Sequence, residues 1–210
     1  MSRKIFVASG NSKKLSELRS LCSDLGVEVL SPADADANLP QVTEDGDSFL
    51  ENATKKAIAF SEFAVQQFGE DVWALADDSG LCVDYLDGAP GVHSARYAND
   101  NSANRDQSNN LKLLRELSEA NGDQRTASFW CVIAVAHAGE LLFAVEGSVN
   151  GTILQNLDGD GGFGYDPLFY HVESASSFAN LAPEQKAKVS HRGQAIARLR
   201  NVLESVATKS

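Results

Sequence analysis

WALADDSGL, residues Trp73–Leu81, is the stretch that decides how this chain is read. Trp73, Ala74, Leu75 and Ala76 form a short apolar run of the kind found in strands covered on both faces. Two adjacent carboxylates follow, Asp77 and Asp78, and then Ser79-Gly80. Side chains alternate along a strand, so neighbouring Asp residues cannot both serve one site while the strand continues. The reading therefore ends the strand at Asp77-Asp78 and lets Gly80 turn the chain, so that both carboxylates lie near one cleft. Unpaired carboxylates beneath an apolar run are costly to bury. A divalent cation removes the conflict. Mg²⁺ is the natural candidate, because it binds through one or two carboxylates and completes its shell with water and substrate phosphates. An Asp-Asp-Ser-Gly surface turn has the same composition, and this stretch alone leaves both readings open.

The chain around it has 210 residues, 43% hydrophobic and 22% charged, which suits one globular domain, residues 1–210, with room for two lobes. A net charge of −11 makes it a poor partner for nucleic acid or an anionic membrane. Small anionic substrates then need local positive charge or a metal. The cysteines Cys22, Cys82 and Cys131 are odd in number, far apart and in apolar surroundings. They read as free thiols in a reducing compartment, so the protein is expected in the cytoplasm. No apolar run approaches the length of a membrane span, and the basic N-terminus precedes too short an apolar stretch for a signal peptide.

Upstream, Lys4–Ala8 reads as a buried strand broken at Ser9-Gly10-Asn11-Ser12. A helix follows, with Leu15, Leu18, Leu21, Cys22 and Leu25 at spacings of three and four, Ser12 as its cap and Gly26 as its stop. A strand leading through a glycine turn into a helix N-terminus presents backbone N–H groups to an anion. Lys13 and Lys14 oppose the helix dipole there, and a bound phosphate accounts for the exception, although solvated lysines are tolerated. The P-loop spacing is absent. Val27–Leu30 reads as a second strand. An acidic loop carrying Glu44 leads to Asp47 or Ser48, the cap of a helix over Phe49–Phe68, in which Lys56 lies one turn past Asn52 on the same face.

Downstream, Cys82-Val-Asp-Tyr reads as a brief separate strand, and Asp87–Gly91 as a turn. Arg96 is the only cation of a long stretch, and is either an anion ligand or the partner of an Asp. Leu111, Leu114 and Leu117 define a short helix ending near Asn121-Gly122. Thr126–Ala138 and Leu141–Val149 form a hairpin or a near neighbour of one, with His137 at the surface and the all-apolar FWCVIAVA central in the sheet. The second unusual stretch is Asp158–Phe169, DGDGGFGYDPLF, with four glycines. Such density means special backbone angles or a closely approaching ligand. Phe163 and Tyr165 could stack on a flat ring and Asp166 could accept from a ring N–H; a structural loop with its aromatics in the core is the alternative. The EF-hand spacing is lacking. Pro183 and Glu184 open a short helix carrying Lys186. Ser190 then caps a helix whose first turn holds His191, Arg192 and Gly193, cations placed against the dipole as though facing a carbonyl or phosphate. A Ser-His-Asp hydrolase is disfavoured, because Ser190 and His191 are adjacent on a helix and no nucleophile elbow is present.

Taken together, SGNSKK (9–14), EDGDSFLENA (44–53), ADDSGLCVDYLDGAPGVHSARYA (76–98), GGFGYDPLF (161–169) and SHRGQA (190–195) resemble the inosine triphosphate pyrophosphatase family, the non-canonical purine NTP pyrophosphatases. The resemblance spans nearly the whole chain. Ser9 replaces a usual Thr, keeping the hydroxyl, and Ser177-Phe-Ala-Asn180 replaces a usual Thr-Phe-Ala-Glu. The resemblance implies an elongated α/β fold, a central mixed β-sheet flanked by helices, two lobes with the active-site cleft between them, and a homodimer. It implies Mg²⁺-dependent hydrolysis of ITP, dITP or XTP to the monophosphate and pyrophosphate, which cleanses the nucleotide pool. On that reading Ser9, Gly10, Asn11, Ser12, Lys13, Lys14 and Lys56 hold the triphosphate. Glu44 and Asp78, with Asp77, bind Mg²⁺, and Asp78 is the general base. Ser79 touches substrate, and Arg96 offsets charge on the leaving pyrophosphate. Phe163 stacks on the purine within the Gly164-Tyr165 loop, while Asp166, Lys186, His191 and Arg192 read the base edge. A 6-oxo group accepts from such cationic donors where the 6-amino group of adenine cannot, a distinction that can reach roughly 10⁴-fold. A pyrophosphatase for other modified nucleotides and a non-catalytic nucleotide-binding protein are the alternatives; the intact carboxylates argue against the second.

Overall fold

A computed structural model describes residues 3–9, 15–16, 18–19, 27–100 and 103–207. The expected phosphate turn at 10–14, Cys22 and the helix stop at Gly26 lie outside the described residues.

The strands are β1 (Arg3–Val7), β2 (Val27–Leu30), β3 (Val72–Val83), β4 (Thr126–His137), β5 (Glu140–Ile153), β6 (Phe169–His171) and β7 (Ser176–Ser177). They form one mixed sheet in the order β2-β1-β3-β4-β5-β6-β7. β1 runs parallel to β2 and to β3, with Ile5 opposite Val29 and Trp73, while β6 is antiparallel to β5 and β7. The β4–β5 turn is Ala138-Gly139, both at positive φ, the backbone of a tight hairpin. β4 carries FWCVIAVA and lies mid-sheet, as its unbroken apolarity predicts. His137 is half-buried and donates from Nε2 to the Glu70 carbonyl at 2.6 Å. Flanking helices are α1 (Phe49–Phe68), α2 (Arg105–Glu116), α3 (Pro183–Val189) and α4 (His191–Ala207). None of the described helices is long and apolar enough to cross a membrane.

The chain divides into two compact units, residues 1–78, 131–147 and 195–210 in the first and 79–130 and 148–194 in the second. The first has a core on each face of its strands. Phe6, Val72, Ala74, Ala76, Val132, Ala134 and Ala136 meet Ala53, Ala57, Phe60 and Ala64 of α1. The intervening residues Ile5, Val7, Leu75, Cys131, Ile133 and Val135 meet Leu18 and the α4 residues Ala195, Ile196, Leu199 and Leu203. Alternation therefore sorts each strand onto two covered faces. Alanines fill the facing positions of α1 and the strands, so the helix lies close to the sheet. Leu15 and Leu18, both helical, pack with the second of these cores.

The second unit is built around Phe129, Phe169 and Phe178, whose rings lie 4.6 and 4.8 Å apart, with Leu81, Val83, Leu113, Leu117 and Ile153 around them. Arg125 is buried among them. It donates to the carbonyls of Ile153, Leu117, Ala120 and Leu154 and so ties the end of α2 to the end of β5. The stripe of α2 differs from expectation. Asn109, Asn110, Leu113 and Leu117 face inward, while Leu111 is half exposed, because the helix starts at Arg105 and carries buried amides in its first turns.

One further expectation fails at the deciding stretch. The strand does not stop at Asp77-Asp78, and Cys82 does not begin another; β3 runs unbroken to Val83. Leu81 and Val83 are fully buried, and the Leu81 N–H donates to Ser94 Oγ at 2.9 Å. Apolar anchors on both sides of Asp-Asp-Ser-Gly hold it extended.

Candidate active site

In the first unit the site grows from the close approach of α1 to β3. Ser48 caps α1, its hydroxyl accepting the Glu51 N–H at 3.2 Å. Asn52, buried at 1% exposure, accepts the Gly46 N–H at 2.8 Å and donates to the Gly46 carbonyl at 3.4 Å. A side chain on Gly46 would meet Asn52 Oδ1 and Glu51 Cβ at 2.8 Å, so only glycine fits there. The acidic loop is thereby pinned, and Glu44 is held near α1. Lys56 Nζ lies 2.7 Å from Glu44 Oε2 and 3.2 Å from Asp78 Oδ1. Asp78 Oδ2 is buried and makes no hydrogen bond among the described residues.

The electrostatics follow from burial. Burial alone would depress the Lys56 ammonium; the Asp78 charge and the bond to Glu44 outweigh it and hold its pKa above the ordinary lysine range. Burial raises the Asp78 pKa, against the pull of Lys56, and the nearby Glu44 charge adds to the rise. One cation between two carboxylates leaves the cluster net negative, with an orphaned buried oxygen. An oxygen-only donor set of this kind suits a hard divalent cation whose shell is completed by water and phosphate. Among the described residues no group of three or more His, Cys, Asp or Glu is placed to hold a metal.

Continuation of β3 separates the two aspartates. Ala74 and Ala76 face α1 and Leu75 faces the opposite core, so alternation puts Asp78 with Lys56 and turns Asp77 to the other face. The Asp77 charge still contributes to the raised Lys56 pKa. Ser9 is half-buried just beyond β1, its N–H donating to the Val7 carbonyl at 2.8 Å.

In the second unit, Ser79 is half-buried within β3, and Arg96 is exposed at the end of a 3-10 turn, Gly91–Arg96. The Gly-rich loop, α3 and the start of α4 bring together Phe163, Asp166, Lys186, His191 and Arg192. Lys186 Nζ lies 4.6 Å from the Phe163 ring centre, and Arg192 Cζ lies 5.3 Å from it. The His191 ring stacks on Phe129 at 4.7 Å and 14°. His191 and Arg192 are both buried. Ser190 accepts the Gly193 N–H at 3.1 Å, closing the α4 cap. A side chain on Gly193 would fall 1.7 Å from the Ala187 carbonyl, so the tight step from α3 to α4 requires that glycine.

Tyr165 takes another place than its motif suggested. Tyr165 is buried in the phenylalanine core and donates its hydroxyl to the Ser94 carbonyl at 2.9 Å, so it does not stack on a ligand ring. Asp166 is buried too. Its Oδ2 accepts the Phe163 N–H at 2.7 Å and is ion-paired with Lys186, which ties the loop to that lysine. Gly162 permits this, since a side chain there would meet Asp166 Oδ2 at 2.1 Å. Asn52 was missing from the expected set; the signal was its place one turn before Lys56 behind the Gly46 turn.

A mixed α/β sheet carrying a carboxylate–ammonium cluster and a separate cation-flanked aromatic ring has the chemistry of a nucleotide-handling protein. The Ham1 family model matches residues 5–202, and the chain belongs to the Ham1 family. It is 42% identical over 205 residues to a dITP/XTP pyrophosphatase of Clostridium perfringens, covering 97% of this chain and 98% of that one. It is 46% identical to the dITP/XTP pyrophosphatase of Desulforamulus reducens, covering 95% of each. Among solved structures, a HAM1 protein from Coxiella burnetii superposes with a TM-score of 0.86 at 38% identity, covering 97% of this chain and 99% of that one.

Proposed function

We propose that this protein hydrolyses the non-canonical purine triphosphates ITP, dITP and XTP to the monophosphate and pyrophosphate with Mg²⁺, and so cleanses the nucleotide pool. The observation that carries this reading is the Glu44–Lys56–Asp78 cluster with its orphaned Asp78 oxygen. The dITP/XTP pyrophosphatases similar to it over nearly full length support the substrate class. Glu44 and Asp78 would hold the metal, with Asp77 acting through its charge from the other face. Held there, Mg²⁺ would supply charge neutralisation of phosphoryl oxygens and would lower the pKa of a water in its shell. Asp78, poised by burial toward a higher pKa, orients the attacking water and accepts its proton. Lys56 and residues Ser9–Lys14 hold the triphosphate, Ser79 touches it and Arg96 balances charge on the leaving pyrophosphate. Phe163 stacks on the base, while Asp166, Lys186, His191 and Arg192 read its edge, the cations offering donors to the 6-oxo group. A homodimer in the cytoplasm and a single functional domain over 1–210 complete this reading.

The test is product analysis with purified protein, Mg²⁺ and a panel of ITP, XTP, GTP, ATP and CTP. Pyrophosphate from ITP and XTP, little from the others and none in the presence of EDTA is expected. Release of single phosphate, or equal turnover of ATP, would overturn the reading.

A further inference from the structure

The loop that carries Phe163 is gripped by a helix to which no motif pointed. Asp106 and Asn110 are four residues apart on α2 and share a face. The Gly164 N–H donates to Asp106 Oδ2 at 2.7 Å, and Asn110 Nδ2 donates to the Gly164 carbonyl at 2.9 Å. Both peptide groups of Gly164 are held from α2. One residue earlier, the Phe163 N–H ends on Asp166. The peptides on either side of Phe163 therefore each donate to a carboxylate, one from the loop itself and one from α2. Fixing both peptides fixes the direction in which the ring leaves the backbone, and with it the few staggered positions the ring can take. Gly164 has φ +61° with open space where a side chain would go, so glycine serves the backbone angle there and not a close approach.

The helix is itself anchored. Asn109, next to Asn110, accepts the Ala98 N–H at 2.7 Å and donates to the Ser94 carbonyl at 3.2 Å. The Tyr165 hydroxyl donates to that same carbonyl. Asn110 is buried with its Oδ1 unsatisfied among the described residues, a cost that leaves its bond to Gly164 as the work of the position.

We propose that Asp106 and Asn110 are positioning residues, which hold Gly164 from both sides and so set the Phe163 ring for the base of the nucleotide. The clamp stands on geometry alone, and its use for a base rests on the proposed function. Asp106 also lies in the first turn of α2, where a carboxylate suits the helix dipole. That role would move stability but not base recognition.

The experiment compares wild type, Asp106→Ala and Asp106→Asn by amide hydrogen exchange without nucleotide and by steady-state kinetics with ITP and ATP. Asp106→Ala should speed exchange of the Gly164 amide about tenfold. It should raise KM for ITP about fivefold with a much smaller change in kcat, the loss of one charge-assisted bond. Asp106→Asn keeps an oxygen acceptor and should recover most of both. Repeated in a Phe163→Ala background, Asp106→Ala should change KM no further. Unchanged Gly164 exchange would overturn the clamp. Faster exchange with unaltered KM, or an equal rise in KM with and without the Phe163 ring, would overturn the positioning role. If wild type turns over no ITP, the proposed function falls, and the clamp stands or falls on exchange alone.

Discussion

The two charged clusters are built on opposite plans. In the first unit Lys56 and Asp78 hang from a long helix and a long strand whose facing alanines let them approach closely, Glu44 joins them from the loop that Asn52 pins to the helix, and the side chains contact one another directly. In the second, Phe163, Lys186 and Arg192 hang from a glycine loop and two helix ends, and side chains hold backbone: Asp166 on Phe163, Asp106 and Asn110 on Gly164, Ser190 on Gly193. A cluster mounted on regular elements keeps its geometry when one side chain is trimmed and loses chemistry. A cluster mounted on loops loses geometry first. Substitutions can test that contrast.

Asp78→Asn should be the most severe for chemistry. Turnover should drop by roughly 10³-fold, the scale of a lost general base combined with a weakened metal site. The fold should survive, and thermal unfolding should shift upward if at all, because burial disfavours the ionised carboxylate that the change removes. Near-normal turnover by this variant would remove Asp78 from the mechanism. Lys56→Ala comes next. It leaves Glu44 and Asp78 facing each other without the ammonium between them, which should cost about 2 kcal/mol in urea unfolding as well as most activity. Unaltered stability would mean that the ion pairs are incidental.

The second unit should answer differently. Gly193→Ala drives a methyl group into the Ala187 carbonyl and forces the α3–α4 step apart. KM for ITP should rise about tenfold while kcat changes less, the pattern of displaced binding groups. A loss of kcat alone would break the contrast between the units. Arg192→Ala should be mildest, lowering the ITP-over-ATP preference by about tenfold with the fold intact. Unchanged selectivity would place base reading on other residues.

Much of the architecture was legible because local patterns were clean. The unbroken apolarity of β4 required cover on both faces, and the alternation of Phe6 against Ile5 and Val7 sorts β1 the same way. Ser190 announced its helix by capping chemistry and caps as read, and of the two candidates Asp47 and Ser48 it is Ser48 that caps α1. The misreadings share one cause. Asp77-Asp78 looked like a strand end because two charges seldom lie within a buried run, but burial of Leu81 and Val83 beyond them carries the strand through. Tyr165 looked like a ligand contact because it sits in a glycine loop, yet the phenylalanine core claims it.

The sequence by itself determined which residues are chemically available: the carboxylates, the lysines and the His-Arg helix start, together with the helices and strands that carry them, since periodicity and caps are local properties. Only the tertiary structure decided which of these meet. That Lys56 bridges Glu44 and Asp78, that Arg125 is spent on four carbonyls, and that α2 reaches Gly164 all join residues distant along the chain. Such meetings depend on how closely one element packs on another, and close packing is set by facing side chains that no single stretch contains.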